Sequence, residues 1–416
     1  MPDFDSHISI EEISKSKDVE CNVRELTIDS TNTKIETPIK VLSGKNISSK
    51  TAENFVSKNE NPLFEITKFF DRAQHHNNLI ATLEGEKGDW VNSLNDKFGL
   101  RRTLEDQYRK NIIVSSVFRE MPVAGYDIAP PKSIYQKMSA DLYQTYLDYV
   151  YSASSAFILT PDVYLTPSPN SSQINNYLKF IDFSIETLQM KNNKPIFAPL
   201  PIDLAFKNLT TVLHSYKRMG YTNIWIDFKA KPCSNSNSAR LRTISRRIEE
   251  IIGDESVVYC SQIKRERDVT KTSVPALDIF PSFSGTDFLG VNRTASPFRI
   301  DTSVTATRKG FSTVDEYNSA LEAVKCSIFD AETYNYTVIG NDDKLSSLVR
   351  NVTTADVYNG IAFNKELNNI RDKVLNDEKL LPYLNSKEAV SKNAPIFDSV
   401  KRTTTPTKET DLSDFF

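Results

Sequence analysis

Carboxylates and cations gather where short apolar runs end, and this is the first pattern in the chain that could do chemistry. Asp162 follows AFILTP, Asp203 follows PIFAPLPI, and Asp227 closes NIWID with Lys229 and Lys231 behind it. Lys264, Arg265 and Arg267 follow VVYCSQI, while Asp278 and Asp287 bracket the segment LDIFPSFSGTD. Carboxylates beside cations can serve as nucleophile, general acid or base, and anion clamp. Taken singly, each of these charges reads equally well as a solvated loop residue. Asp227 stands apart because it is embedded in an apolar strand.

The elements that must position these groups alternate along the chain. Short apolar runs, suited to strands buried on both faces, occur at 35–42, 64–70, 111–118, 156–159, 195–200, 223–228, 257–263 and 277–283. Segments of 3.6-residue periodicity lie between them at 134–151, 172–190, 204–219 and 238–252, the third ending in Arg218-Met219-Gly220, a helix stop. Such alternation predicts parallel strands with helical crossovers, here an α/β fold of the (β/α)8 TIM-like barrel type, with a doubly wound sheet as the alternative. The organisation expected is an N-terminal arm over 1–23, the barrel over 24–300, a C-terminal α-rich extension over 301–391 and a flexible tail over 392–416. In a barrel the residues closing each strand form the active end, which makes Asp162, Asp227, Asp278 and Asp287 the candidate catalytic residues.

Composition excludes several classes. The 416 residues carry 51 Lys+Arg and 54 Asp+Glu, a net charge of −3, so any nucleic-acid contact must come from a local basic face. Only 12 glycines occur and neither G-x-x-x-x-G-K nor G-x-G-x-x-G is present, which argues against nucleotide-binding loops of those types. Cys21, Cys233, Cys260 and Cys326 are widely spaced, and His75, His76 and His214 have no partners at ligand spacing, so no metal site and no cofactor are expected. The acidic start MPDFD and the absence of a long apolar run predict a cytoplasmic protein without a membrane span.

A local basic face does exist in the sequence. Arg240, Arg246 and Arg247 on one helix, with Lys264, Arg265 and Arg267 in the next loop, could hold phosphates, or could be a solvated face partnered by Glu249, Glu250 and Glu266. Tyr143, Tyr146, Tyr149 and Tyr151 could stack bases, although packing of the helix onto its sheet is the more usual role.

The polar tail ends in KETDLSDFF, and two terminal phenylalanines on such a tail call for something that buries them. Glu409, Leu412, Phe415 and Phe416 have the spacing E-x-x-L-x-x-F-F. It resembles the Q-x-x-L-x-x-F-F peptide by which proteins dock on the replication sliding clamp, PCNA, with glutamate in place of the usual glutamine. Docking of the two rings on the chain's own body is the competing reading. The resemblance implies a partner at DNA.

Over about residues 24–300 the order of segments resembles the tRNA-guanine transglycosylase superfamily, which includes relatives that insert 7-deazaguanine bases into DNA. The resemblance is carried by Lys34-Ile35-Glu36-Thr37-Pro38, by Asp162, by the stretch from Pro195 to Lys231 and by LDIFPSFSGTDF. It implies a barrel with a substrate-binding aspartate at Asp162 and a nucleophilic aspartate near Asp278 or Asp287. The chain departs from the family in several places. Its D-S-G-G-F-Q signature reads Val114-Ser115-Ser116-Val117-Phe118, its D-x-F-D reads Asp278-Ile279-Phe280-Pro281, and its C-x-C-x-x-C zinc site is absent. The function expected is a DNA (or RNA) base-modifying transglycosylase, exchanging guanine for a 7-deazaguanine and recruited by a sliding clamp. The alternatives are a catalytically degenerate barrel acting as a clamp-binding replication or transcription accessory protein, and a barrel enzyme acting on a small phosphorylated molecule.

Overall fold

The N-terminal stretch, expected as a loosely held arm or a first short strand, contributes strands. The computed structural model describes residues 7–45, 47, 62–85, 89–100, 111–128, 134–191, 193–293, 302–339, 345, 349, 351–393, 395, 398 and 401. Strands β1 (Ile8–Lys15), β2 (Asn22–Ile28) and β3 (Thr33–Thr37) form an antiparallel sheet in that order. Leu26, Ile28 and Ile35 join Val41, Leu63, Ile113 and Val257 in one apolar cluster, so this sheet covers the amino ends of the parallel strands. The run 35–42, expected as one strand, is divided at Pro38, which has no N–H to donate to a ladder. It continues as β4 (Ile39–Lys40) and β5 (Leu42–Ser43).

Next come β6 (Phe64–Phe70), α1 (Ala73–Leu83), α2 (Asp89–Phe98), β7 (Ile112–Phe118), α3 (Ala140–Ala153), β8 (Ile158–Leu159) and β9 (Asp162–Val163). They are followed by α4 (Ser171–Gln189), β10 (Ile196–Pro201), α5 (Phe206–Met219), β11 (Asn223–Asp227), α6 (Asn235–Ile251) and β12 (Val257–Ser261). The caps have local causes. Ser139 accepts from the Leu142 N–H at the start of α3, Asn170 and Gln173 form a capping box on α4, and α5 ends at Gly220 with φ 82°.

A short strand β13 (Ser273–Pro275) precedes a 3-10 helix at Leu277–Phe283, and β14 (Phe288–Leu289) follows. The sequence places the eighth strand on 277–283, and that placement is wrong. Pro281 cannot donate to a ladder, and the Ser282 hydroxyl closes a local turn on the Ile279 carbonyl at 2.6 Å. The strand is Phe288–Leu289 instead.

The parallel strands form a six-stranded sheet, β4-β14-β12-β11-β10-β8, and a four-stranded sheet, β5-β6-β7-β9. Val41 alone separates β4 from β5, and Thr160-Pro161 alone separates β8 from β9. Both faces are apolar. Ile224, Ile226, Ala198 and Leu200 face the helices, while Phe157, Phe197, Trp225, Tyr259 and Phe288 pack on the other side. Phe157 lies 4.9 Å from Phe197 and 5.2 Å from Phe288, centroid to centroid. Of the α3 tyrosines, Tyr143, Tyr146 and Tyr149 are buried, Tyr143 bonding Ser184 and Tyr149 bonding Asn95, so they pack the helix.

The C-terminal segment comprises α7 (Thr302–Arg308), α8 (Val314–Lys325), β15 (Ile328–Asp330), β16 (Asn335–Thr337), α9 (Val352–Leu375), α10 (Leu380–Asn385) and α11 (Glu388–Lys392). β13, β16 and β15 make a small antiparallel sheet. α9 lies against β4 and β5 so closely that a Cβ at Gly360 would meet Leu42 Cδ2 at 2.4 Å. Asn364 on α9 accepts from the Lys40 N–H (2.7 Å) and donates to the Lys40 carbonyl (2.9 Å), satisfying the strand where β6 has not yet begun. The tail peptide Glu409, Leu412, Phe415 and Phe416 lies outside the described residues. Among the described residues no helix is long and apolar enough to cross a membrane.

Candidate functional site

A cleft of about 480 Å3 opens at the carboxyl ends of the parallel strands, the end where ligands bind in parallel α/β folds. Its cations are Lys40, Lys45, Arg265, Arg267, Arg293 and Lys325, against the two carboxylates Glu65 and Asp356. The C-terminal segment supplies the far wall through Lys325 of α8, Tyr336 of β16, and Asp356, Asn359, Gly360 and Phe363 of α9. The guanidinium groups are held by ring faces and acceptors. Arg293 lies 3.6 Å over Phe69, and Arg265 lies 3.7 Å over Tyr336 while donating to Ser327 and pairing with Asp356 at 3.6 Å. Lys40 donates to the Gly290 carbonyl and to Asn292 Oδ1, the latter at 3.2 Å. Burial pulls its ammonium below the ordinary lysine range, against the pull of Asp278 and Glu65.

Glu65 forms the floor. Its Oε2 accepts from the Tyr259 hydroxyl at 2.6 Å and the Val291 N–H at 2.7 Å, and its Oε1 from Gln262 Nε2 at 3.0 Å and the Thr67 hydroxyl at 2.5 Å. Burial pushes this carboxyl up, and the Thr67, Tyr259 and Val291 bonds offset part of that rise. The space it fills exists because residue 290 is glycine. A Cβ there would sit 2.4 Å from Glu65 Oε2, 2.4 Å from Ser261 Cβ and 2.5 Å from Tyr259 Cε1. With four donors, Glu65 is the clasp between β6, β12 and the residues after β14.

Asp227 and Asp162 are brought together beyond the cleft. Both are 0% exposed. Asp227 accepts the Lys229 N–H at 2.7 Å, and Asp162 accepts the Val163 N–H at 2.8 Å and the Tyr177 hydroxyl at 3.0 Å. In each, Oδ2 has no hydrogen-bond partner. Burial first, and the charge of Asp227 second, push the Asp162 carboxyl up to about 7. Asp227 is raised by burial too, opposed by the Lys229 N–H and by the charges of Lys229 and Arg293. Arg293 therefore connects the cleft to this pair. The backbone above the pair is strained: Lys229, Ala230 and Gln262 have φ of 50°, 57° and 64°, each costing of order 1–2 kcal/mol for a residue with a side chain. Such strain concentrates at functional sites.

Of the other sequence candidates, Asp287 lies away from the cleft and Asp278 lies behind its wall, bonded to the cleft-lining Tyr336 and Asn292. Asp287 precedes β14, at the amino end of the sheet, where it accepts from the Val258 N–H (2.8 Å) and the Thr37 hydroxyl (3.2 Å) and pairs with Arg24 at 3.7 Å. It faces the end opposite the cleft. Asp278 sits in the 3-10 helix under Tyr336, whose hydroxyl donates to it at 2.8 Å, and Asn292 donates to it as well. Among the proposed phosphate contacts, Arg265 and Arg267 line the cleft and Lys264 is exposed beside them. Arg240 instead donates to the carbonyls of Ile202 and Leu204, Arg246 pairs with Glu20 at 2.7 Å, and Arg247 pairs with Glu250 at 3.2 Å. α6 runs antiparallel to its strands, so its last turns lead away from the carboxyl end.

Sequence reasoning missed Glu65, Arg293, Lys325 and Asp356. Glu65 carries the same signal that singled out Asp227, a carboxylate inside an apolar strand, FEITKFF. The other three lie outside the strands and carry no comparable mark. Among the described residues no group of three or more His, Cys, Asp or Glu is placed to hold a metal ion. No protein-family model matches the chain, and no curated protein matches it.

Proposed function

We propose that the protein is a transglycosylase-like (β/α)8 barrel that holds a nucleic-acid strand, DNA in the first place, at the carboxyl ends of its strands and modifies a base there. Closure of the barrel is supported by eight parallel pairings, which run in a ring once β4 and β5, and β8 and β9, are each taken as one strand. The single observation that carries the functional reading is the cleft, six cations to two carboxylates, beside a buried aspartate pair. Cations in that ratio suit phosphate oxygens, and the contacts fix the register of a strand without reading its sequence.

The chemistry falls to Asp227 and Asp162 rather than to Asp278 or Asp287. Asp287 faces the end of the sheet opposite the cleft, and Asp278 is held in the 3-10 helix by the Tyr336 hydroxyl and the Asn292 amide. In a base exchange, one carboxylate attacks C1′ as the C1′–N9 electron pair leaves with the guanine. The second, protonated, carboxyl gives its proton to that leaving base. An incoming 7-deazaguanine then attacks C1′ through N9, the ester bond breaks to free the first carboxylate, and the N9 proton of the incoming base passes to the second carboxylate. A pair with one carboxyl raised to about 7 suits this division of roles near neutral pH. The base must leave its stack to reach the pair.

The experiment is exchange of labelled guanine in DNA for free 7-deazaguanine, alongside binding at low salt. Asp227→Asn should abolish exchange while leaving binding intact. Arg293→Gln with Lys325→Gln should weaken binding and reduce the slope of log K on log salt by about 2. The glycine at 290 and the complete burial of both aspartates favour a second reading, the catalytically degenerate barrel that binds the clamp and DNA. Binding without exchange, unchanged in Asp227→Asn, would select it. No binding at low salt would end both readings and leave the small phosphorylated substrate.

A further inference from the structure

We infer that the groove between α5 and α6, on the Asp203 side of the aspartate pair, is a stacking subsite for an unpaired nucleotide, so that the strand held by the protein is single. The inference rests on the nucleic-acid reading above and names the substrate class. The groove, of about 540 Å3, is lined by Pro167, Asp203, Phe206, Lys231 and Arg240 among others. Phe206 opens α5 and remains 39% exposed, and the Arg240 guanidinium lies 4.6 Å over its ring. The bonds from Arg240 to the Ile202 and Leu204 carbonyls hold that cation in place.

A second ring repeats the arrangement. Tyr164, just after β9, is 47% exposed, with Lys229 Nζ 4.6 Å from its centroid. Asp203 joins the two sites, accepting from Lys229 at 3.1 Å and from Lys231 at 2.9 Å. Burial works to raise the Asp203 carboxyl, but the two lysines outweigh it and hold it below the usual range. The groove's lining holds two cations, Lys231 and Arg240, against the single carboxylate of Asp203, which leaves it positive. Exposed rings beside cations suit the two parts of a nucleotide, the base face and the phosphate. A duplex buries its base faces in its own stack, whereas a single strand presents them.

The test is fluorescence anisotropy of the full chain with a labelled single-stranded oligonucleotide and with the duplex of the same sequence, at one low salt concentration. Phe206→Leu and Tyr164→Leu keep apolar bulk, and melting curves check their folding. Each should weaken single-strand binding about 5- to 100-fold while duplex binding stays unchanged, because stacking on a ring face is what is removed. Unchanged single-strand affinity in the double variant, with Arg293→Gln still weakening it, would overturn the subsite and leave the nucleic-acid reading standing. Equal losses on single strand and duplex would also overturn it. Absence of binding to either form would remove the subsite and the reading together.

Discussion

Glu65→Gln tests the central packing claim about the cleft floor. The wild-type carboxylate accepts four hydrogen bonds, from Tyr259, Val291, Gln262 and Thr67. A glutamine of the same shape has one accepting oxygen and one NH2 group, so two of the four donors would face another donor. The Tyr259 and Thr67 hydroxyls can rotate to accept, and the Gln262 amide can flip, but the Val291 N–H can do neither. If the amide turns its nitrogen toward Val291, one buried backbone donor is orphaned, at a cost of about 1–3 kcal/mol. If it turns the other way, Gln262 must flip and abandon its present bond. Some of either cost is returned because a buried charge is removed, and burial already raises this carboxyl. Denaturant unfolding should therefore show a loss of about 1–3 kcal/mol at neutral pH, or roughly 1 °C of melting temperature per kcal/mol for a folded unit of this size. The raised carboxyl also sets a sign. Relative to the variant, the wild type should gain stability as pH falls toward the ordinary glutamate range and lose it as pH rises through the elevated value. Gly290→Ala, whose Cβ would meet Glu65 Oε2 at 2.4 Å, should cost more than Glu65→Gln. Full stability of both variants would refute the clasp.

Two further expectations follow from other parts of the chain. His76 is 0% exposed between Phe118 and Tyr135, and neither ring nitrogen has a hydrogen-bond partner. Burial, aided by Lys137, lowers it from 6.5 to about 4. The native state thus refuses a proton that the unfolded state takes up. The stability it contributes is present above pH 6.5 and should fall by about 3 kcal/mol as pH drops from there to about 4, a loss that chemical denaturation of His76→Leu should not show in that window. In the tail, Phe415→Ala with Phe416→Ala should abolish calorimetric binding to a sliding clamp with no change in melting temperature. A drop in melting temperature would mean that the rings pack on the chain's own body.

Much of this architecture is legible from local pattern alone. Runs such as 224–226 in NIWID and 257–260 in VVYCS are apolar at successive positions, a pattern that suits a short strand buried on both faces. The helices between them carry their own stops and caps, as at Asn170 and Gly220. Asp227 could be picked out because a charge inside such a strand needs a reason. The eighth strand was not legible, since Phe288–Leu289 is two residues long and the neighbouring LDIFPSF is the more apolar run. The long helix α9 was half hidden for a related reason. Gly360, Asn359 and Asn364 look like helix breakers or solvent-facing residues in sequence, yet each is there for contact with a neighbouring strand.

The sequence by itself determined which residues could form strands and helices, because propensity, periodicity and capping act over a few neighbours. It also marked Asp162 and Asp227 by their place at strand ends. Only the tertiary structure decided which charges meet. Asp287 and Asp227 both lie next to strands, but one precedes β14 and the other ends β11, which puts them at opposite ends of the sheet. Arg293 and Arg265 share a cleft with Lys325 of α8 and Asp356 of α9, and no local pattern records that contact. Burial and charge at a site depend on groups far apart in the chain, and that dependence is set when the strands pair and the helices pack.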